Sequence, residues 1–268
     1  MYDIIIIGAG PAGLSAAITA RSRGKSALVI SGPCADSGLY KAPVIDNYPG
    51  LPGISGAELS DRLAKHAEDA GAVFASGKVT SVLTSDGGVS VGFGSEFESG
   101  RALILALGIV QTQVFPGEAE LLGRGVSYCA TCDGMLYRKR KVVVVALAPD
   151  AHAEAEYLRS IGCEVTEVTS TKIKILGDTN VTAVEIDGAA VPCDGVFILR
   201  KSIAPAALLA DLDIRDGHLV VDENFATAVP AVFASGDCVG KPYQIAKAVG
   251  EGQRAAFSAI EYIDKGAD

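Results

Sequence analysis

Two of the six cysteines stand close together and carry the clearest chemical signal in the sequence. Cys129 and Cys132 are separated by two residues. A C-x-x-C pair near a helix N-terminus has a lowered thiolate pKa and forms a small disulfide suited to thiol exchange. A structural zinc site would need a second matched pair, but the other four cysteines are scattered singly: Cys34, Cys163, Cys193 and Cys238. The pair therefore predicts redox chemistry and no bound metal.

The residue directly after the cysteine pair is Asp133. A carboxylate beside a disulfide can give a proton to the leaving thiolate, so Asp133 is a candidate general acid and base. The alternative interpretation is structural, with the Asp133 side chain capping the helix that follows. The sequence leaves both roles open.

A second chemical signal is the turn over residues 8–13, where Gly8, Gly10 and Gly13 have the spacing G-x-G-x-x-G. An apolar, β-branched stretch precedes this turn and a helical pattern follows it. In that context the glycines permit a tight turn, and the helix N-terminus offers N–H groups to a pyrophosphate. The second strand ends on Ser31-Gly32 instead of the usual acidic residue, so contacts to the ribose must come from elsewhere. The turn predicts a dinucleotide cofactor.

Hydrophobic periodicity predicts two βαβ units that position these motifs. The first unit has strands at 3–7 and 26–30 around a helix at 11–23. A loop at 33–55, a surface helix at 56–70, a β-meander (78–83, 89–93, 96–99) and a buried strand at 102–106 follow. The second unit has strands at 141–147 and 164–168 around a helix at about 149–161. After it we predict only strands, at 172–176, 180–186 and 195–199. The tail supplies a hairpin at 218–221, a strand at 231–234 and a helix at 244–264.

Composition excludes several classes of function. The chain has 268 residues, of which 49% are apolar, so it can form two hydrophobic cores. Lys and Arg number 23 against 32 Asp and Glu, and the resulting net charge of −9 argues against a general nucleic-acid binder. The longest apolar runs are too short to cross a membrane. We therefore expect a soluble, cytoplasmic protein.

Taken in order, the motifs resemble the low-molecular-weight thioredoxin reductases over nearly the whole chain. The matching segments are GAGPAG at 8–13, DNYPG at 46–50, ALG at 106–108, FPGE at 115–118, CATCDG at 129–134 and FASGD at 233–237 before Gln244. The resemblance implies an α/β, two-domain flavoprotein disulfide reductase. The FAD-binding Rossmann-like domain would consist of two parts, residues 1–113 and 203–268. A second, smaller Rossmann-like domain (114–202) would be inserted between these parts and carry the cysteine pair.

The resemblance also implies site residues and partners. Cys132 would be the sulfur nearer the flavin, and Cys129 would attack thioredoxin. Asp237 would accept a ribityl hydroxyl, although a helix cap is the alternative. A homodimer is expected. The residues implied for FAD binding are Gly8, Gly10, Pro11, Ala12, Gly13, Ser31, Gly38, Leu39, Asn47, Val79, Ala106, Leu107, Gly108, Gly236, Asp237, Gln244 and Ile245.

The second βαβ unit departs from the pattern of pyridine-nucleotide-dependent members. Its turn reads Ala146-Leu147-Ala148-Pro149-Asp150-Ala151 and has no glycine, so side chains would obstruct a pyrophosphate. Asp150 would also repel an anion at the helix start. The chain has no Arg between Arg159 and Arg200 for a 2′-phosphate. A crossover helix expected after the next strand is missing as well. We therefore predict that NADPH is not used.

The remaining pattern resembles the ferredoxin-dependent flavin thioredoxin reductases, because a one-electron iron–sulfur donor needs no nicotinamide site. Three alternatives stay open. The first is a flavin-dependent dithiol oxidase that uses dioxygen, the second an NADPH-dependent reductase with a degenerate nucleotide site, and the third a flavin-binding regulatory protein with an idle disulfide.

Four consecutive basic residues follow the cysteine pair: Arg138, Lys139, Arg140 and Lys141. Because local charge dominates over net charge within a Debye length, this basic run could dock an acidic ferredoxin. The alternative is a solvated turn with no partner.

Overall fold

The computed structural model describes residues 1–85, 87–108, 114–148, 151–200 and 205–266, and for Asp36 and Cys132 it describes the backbone alone. The chain folds into two compact units. Unit 1 contains Met1–Val110 and Ala204–Asp268, and unit 2 contains Gln111–Ile203. Residues 113, 202 and 203, at which the predicted domain boundaries fall, lie outside the described residues.

Both units contain helices and strands. In chain order they are β1 (Tyr2–Ile7), α1 (Pro11–Ser22), β2 (Ala27–Ser31), α2 (Gly56–Asp69), β3 (Val73–Ser76), β4 (Val79–Ser85), β5 (Gly88–Phe93), β6 (Glu96–Leu105), β7 (Val126–Ser127), α3 (Ala130–Asp133), β8 (Lys141–Ala146), α4 (Ala151–Ser160), β9 (Glu164–Val168), β10 (Ile173–Leu176), β11 (Ala183–Ile186), β12 (Ala189–Pro192), β13 (Gly195–Leu199), α5 (Pro205–Leu208), β14 (Ile214–Arg215), β15 (His218–Leu219), β16 (Val232–Ala234) and α6 (Ile245–Lys265). Short 3-10 helices cover Cys34–Asp36, Gly134–Tyr137 and Asp237–Val239.

Unit 1 is built on a seven-stranded sheet in the order β3-β2-β1-β6-β5-β4, with β16 also paired to β6. Strands β3, β2, β1, β6 and β16 are parallel, and β4 and β5 are antiparallel to their neighbours. The carboxyl ends of β1, β6 and β16 therefore meet at one edge of the sheet, which is where cofactors bind in open α/β sheets.

Strand β6 corrects the sequence prediction of two separate strands at 96–99 and 102–106. It runs without a break over Glu96–Leu105, pairing with β5 in its first half and with β16 in its second. The predicted gap falls at Gly100, which pairs with Tyr2 of the parallel strand β1. A Cβ at Gly100 would stand 2.9 Å from the Ile5 side chain. The glycine therefore permits close packing between β6 and β1.

Helices α1 and α6 pack closely because small residues line the contact. Ala12, Ala16 and Ala20 of α1 and Ala255 and Ala259 of α6 are buried in one core cluster. A Cβ on Gly252 would lie 2.0 Å from the carbonyl oxygen of Ala12, so only glycine fits there. This packing holds the first half of α6 beside the start of α1.

Unit 2 contains a parallel sheet in the order β7-β13-β8-β9 and an antiparallel sheet of β10, β11 and β12. Two core clusters are built around the parallel sheet. Within the described part of this unit, α4 is the one α-helix longer than four residues. The second βαβ unit is thus followed by strands, as the sequence predicts. Across the described residues, no helix combines the length and apolar character that a membrane crossing requires.

Candidate active site

The turn between β1 and α1 is shaped by close backbone contacts. Gly8 has φ +113°, and a Cβ on it would lie 2.2 Å from the carbonyl oxygen of Ala106. A Cβ on Gly13 would lie 1.9 Å from the carbonyl oxygen of Gly8. Gly8 and Gly13 are therefore required by packing. The turn also brings Ala106, which is predicted to bind FAD and follows β6, against the start of α1.

Gly10 has a different role from its two neighbours. Gly10 is the N-cap of α1 and makes no side-chain capping bond. A Cβ on Gly10 would have open space around it, with no contact within 4 Å among the described residues. The first turn of α1 contains no acidic residue. An uncapped helix start with open space in front of it is suited to an anion such as a pyrophosphate. Pro11 and Ala12 continue this start as the first residues of α1.

Five other residues that the resemblance assigns to FAD binding also lie in unit 1. Ser31 ends β2, and its carbonyl oxygen accepts the N–H of Gly77 at 3.0 Å, just before buried Val79 begins β4. Leu39 and Ile245 pack against one small cluster of buried residues, which brings the loop after β2 beside the start of α6. Gly38 lies next to Leu39 in that loop and has open space around it.

Asn47 and Gln244 lie far apart in sequence and meet in the fold. Nδ2 of Asn47 donates a 2.8 Å hydrogen bond to Oε1 of Gln244, which is the N-cap residue of α6. Both side chains are exposed. The structure thus brings together two residues that the resemblance assigned to one cofactor.

The segment after β16 holds two buried polar atoms without partners. Oγ of Ser235 and Oδ1 of Asp237 are buried and make no hydrogen bond to any described residue. Burial raises the pKa of Asp237, Lys247 opposes that shift, and Glu251 adds to it. Gly236, with φ +85°, is the N-cap of the 3-10 helix, so the Oδ1 atom does not serve as a helix cap. Unpaired buried oxygens are costly, and ligand groups that donate hydrogen bonds would remove the cost.

The cysteine pair lies in unit 2, at the start of the four-residue helix α3. Cys129 is buried and disulfide-bonded. The side chain of Cys132 lies outside the described residues. Oγ of Ser127 accepts the N–H of Cys129 at 3.2 Å and donates to Oδ2 of Asp133 at 2.7 Å. Asp133 makes no side-chain capping bond to the following 3-10 helix, so the capping alternative is not seen.

The predicted basic run is exposed over its whole length. Two exposed apolar side chains lie shortly before Arg138, Lys139, Arg140 and Lys141: Met135 is 57% exposed and Leu136 is 71% exposed. Half-buried Tyr137 separates them from the run. Lys139 has φ +62°, which makes a sharp turn within the run.

Comparison with known proteins identifies the family. The model for the pyridine nucleotide-disulphide oxidoreductases matches residues 2–174 and 161–252. The chain belongs to this family. A thioredoxin reductase of Listeria innocua is 33% identical over 302 aligned residues, which cover 99% of this chain and 95% of that protein.

Solved structures agree with this assignment. A ferredoxin-flavin thioredoxin reductase from Clostridium acetobutylicum is 35% identical, has a TM-score of 0.89, and is matched over 98% of each chain. A thioredoxin reductase from Gloeobacter violaceus is 32% identical with a TM-score of 0.81, over 98% of this chain and 95% of the other. The Rossmann-like α/β fold predicted from the sequence is confirmed.

As a member of this family, the chain is a flavin-dependent disulfide oxidoreductase, and the predicted FAD cofactor is confirmed. The residues of unit 1 fit FAD. The open start of α1 at Gly10 can take the pyrophosphate, and the unpartnered Oδ1 of Asp237 can accept a hydroxyl. Both features are at the edge where β1, β6 and β16 end.

The corresponding turn of unit 2 does not share these features. Ala146 at the end of β8 and Ala148 after it pack against the core, and Leu147 donates its N–H to the carbonyl oxygen of Leu199 at 2.9 Å. Asp150, to which we attributed repulsion of an anion, lies outside the described residues, as does Pro149. In the described part of this turn, Ala148 carries a side chain at the position that corresponds to Gly10 in the glycine pattern of unit 1.

A carboxylate on β9 adds to this difference. Glu167 accepts hydrogen bonds from Nδ1 of His152 and from Arg159, each at 3.2 Å. Burial alone would raise the pKa of Glu167, but these two partners outweigh it and lower that pKa. Sequence reasoning missed Glu167 because a charged residue within a short strand gave no motif.

Four further residues near the sites were also missed. Oε2 of Glu154 accepts the N–H of Ala130 at 2.9 Å, at the start of α3. Ser127 joins Cys129 to Asp133. Lys247 and Glu251 of α6 contact the turn after β16. The four-residue spacing of Lys247 and Glu251 signals a helical ion pair, but it does not show the contact with the turn.

Proposed function

We propose that this chain is a thioredoxin reductase that receives electrons from a reduced ferredoxin and does not use NADPH. The observation that carries the donor choice is the second dinucleotide turn, where Ala146, Ala148 and Ala151 stand at the three glycine positions. The likeness to the Clostridium acetobutylicum protein, whose name includes ferredoxin and flavin, supports it at 35% identity. The likeness to thioredoxin reductases over almost the full chain supports the substrate.

Exclusion of NADPH rests on sterics and on charge. A pyrophosphate approaches a turn closely only where Cβ atoms are absent, and Ala146, Leu147 and Ala148 all carry one. Arg159 is the sole arginine between Arg140 and Arg200 in the sequence, and it already contacts Glu156 and Glu167. A 2′-phosphate near β9 would therefore face the carboxylate of Glu167. The guanidinium of Arg159 would not be free to bind that phosphate, because it already pairs with two carboxylates.

For the flavin site, we propose that residues 1–113 and 203–268 form the FAD-binding domain. Gly10, Pro11 and Ala12 present the N–H groups of α1 to the pyrophosphate, and Asp237 accepts a ribityl hydroxyl. Asn47 and Gln244 hold one edge of the site through their hydrogen bond. FAD, when bound, can accept electrons singly and deliver two to a disulfide.

For the disulfide site, we propose that residues 114–202 form the domain in which thioredoxin is reduced. Two electrons and two protons convert the Cys129–Cys132 disulfide to two thiols. The thiolate of Cys129 then attacks the thioredoxin disulfide and forms a mixed disulfide, while the released thioredoxin sulfur takes a proton. Cys132 attacks Cys129 in turn, which restores the disulfide and frees reduced thioredoxin. Asp133, held by Ser127, supplies and recovers the protons.

The basic run Arg138–Lys141 is the proposed ferredoxin-docking surface. All four side chains are exposed. Exposed basic residues attract an acidic protein at short range even when the whole chain carries a net charge of −9. A homodimer and a cytoplasmic location stay predictions.

Anaerobic mixing of the purified yellow protein with candidate donors tests the proposal. Neither NADPH nor NADH at millimolar concentration should bleach the flavin, whereas reduced ferredoxin should. Bleaching by small dithiols followed by rapid recovery with dioxygen, without any response to ferredoxin, would instead assign a dithiol oxidase. A flavin that responds to no dithiol would indicate a regulatory protein with an idle disulfide.

A further inference from the structure

Two charged side chains of α6 hold both peptide groups of Gly236. Nζ of Lys247 donates to the carbonyl oxygens of Gly236 at 3.2 Å and Gly240 at 2.7 Å. Oε2 of Glu251 accepts the N–H of Gly236 at 3.0 Å and lies 3.0 Å from Nζ of Lys247. The pair therefore fixes the turn after β16 at its beginning and at its end.

The middle of the turn is held separately by Cys238, which is buried and whose Sγ lies 3.2 Å from the carbonyl oxygen of Ser235. The turn consists of the 3-10 helix Asp237–Val239 between two glycines with positive φ, +85° at Gly236 and +131° at Gly240. Glycine at such positions leaves the backbone free to adopt other conformations. Lys247 and Glu251 are each only 17% exposed, and hydrogen bonds from charged groups are stronger than neutral ones when solvent is limited. The pair thus holds the two glycine ends of the turn, where the backbone has the most freedom.

The turn also carries a buried polar atom that a ligand could bind. Oδ1 of Asp237 is buried without a partner, as is Oγ of Ser235 directly before the turn. The direction of a short side chain such as aspartate is set by its backbone. We propose that Lys247 and Glu251 are positioning residues that aim Asp237 at a hydroxyl of FAD. This inference rests on the proposed assignment of Asp237 to the flavin site.

An ordinary helix-surface ion pair is the alternative, and α6 offers one for comparison. Glu261 and Lys265 have the same four-residue spacing on the same helix, and their side chains are 66% and 71% exposed. Exposed pairs of this kind contribute little to stability. Lys265→Met is therefore a matched control for Lys247→Met, because it removes the same functional group from the same helix.

The experiment is titration of flavin-free protein with FAD, followed by flavin fluorescence. Lys247→Met should weaken FAD binding by about tenfold or more, which is the effect of losing roughly one or two good hydrogen bonds. Glu251→Gln should weaken binding less, since its amide oxygen can still accept the N–H of Gly236. Lys247→Arg should retain most of the affinity. Lys265→Met should match the wild-type dissociation constant.

A double-mutant cycle with Asp237→Asn separates positioning from general destabilisation. If Lys247 acts through Asp237, Lys247→Met should cause much less than a tenfold change in the Asp237→Asn background. An undiminished effect there, or wild-type affinity of the Lys247→Met variant, would overturn the proposal. If Lys247→Met does not fold, the other two variants still test the proposal. Wild-type FAD affinity in Glu251→Gln, combined with loss of FAD binding in Lys247→Arg, would contradict the positioning role. Wild-type affinity of Asp237→Asn itself would instead refute the flavin-site assignment.

Discussion

Oγ of Ser127 donates a 2.7 Å hydrogen bond to Oδ2 of Asp133. Oγ of Ser127 also accepts a hydrogen bond from the N–H of Cys129. Asp133→Asn should slow thioredoxin reduction by about 100-fold, because a positioned general acid contributes at least that much. Ser127→Ala should slow it by about fivefold, the effect of one lost hydrogen bond. Stopped-flow mixing of pre-reduced enzyme with oxidised thioredoxin measures both rates. Exposed Asp178→Asn is the control, and a wild-type rate in Asp133→Asn would remove the acid–base role.

The cysteine pair gives a second prediction. Cys129→Ser and Cys132→Ser should each abolish thioredoxin turnover, because neither variant can form the disulfide. Dithionite should still reduce the flavin in both variants, since unit 1 is unchanged. Cys34→Ser, at an exposed free cysteine, should retain full turnover. Full turnover in either of the first two variants would show that the redox centre lies elsewhere.

A buried ion pair in unit 2 gives a prediction about stability. Glu118 is almost fully buried and accepts hydrogen bonds from Arg200 at 2.6 and 2.8 Å, from the N–H of Phe115 and from the Tyr128 hydroxyl. Glu118→Ala should lower the free energy of unfolding by about 3 kcal/mol, because Arg200 would lose its buried partner. Urea denaturation measures the change.

The exposed pair Glu58 and Arg62 on α2 provides the comparison. Glu58→Ala should leave the free energy of unfolding nearly unchanged, because solvent screens exposed ion pairs. Equal losses in Glu58→Ala and Glu118→Ala would contradict the role given to the buried network.

Most helices and long strands could be predicted from the sequence, because hydrophobic periodicity and turn residues agree there. Strands β9 and β13 have the predicted bounds, and α6 differs by one residue at each end. Strands β3 and β12 were missed. Each has four residues and mixed exposure, so neither shows the alternation that identifies a strand. Pairing with a neighbour forms them, and pairing is not visible in a local pattern.

The site shows the same limit. The glycine turn and the cysteine pair are local motifs, so the sequence reveals them directly. Asn47 and Gln244 are 197 residues apart, and only a family resemblance could place them together before the fold was known. The contact of Lys247 with the carbonyl oxygen of Gly236 had no such guide, because it depends on how α6 packs against the turn.

Docking of the electron donor gives a further prediction. Arg138→Glu combined with Lys139→Glu should slow flavin reduction by ferredoxin about tenfold or more at low salt and flatten its dependence on ionic strength. Reduction by dithionite should not change. The matched control is Arg62→Glu with Lys65→Glu, which makes the same charge change on the exposed face of α2. Equal slowing in both double variants would show a net-charge effect without a docking surface.

The most direct test of the proposed electron donor is reduction of thioredoxin by the wild-type protein under anaerobic conditions, with reduced ferredoxin or NADPH as the sole donor. Because the turn at Ala146–Ala148 has no glycine to admit a pyrophosphate, we predict that millimolar NADPH neither bleaches the flavin nor drives thioredoxin reduction. Reduced ferredoxin, the proposed donor, should do both. Rapid bleaching and turnover with NADPH, or no response to reduced ferredoxin, would contradict this account.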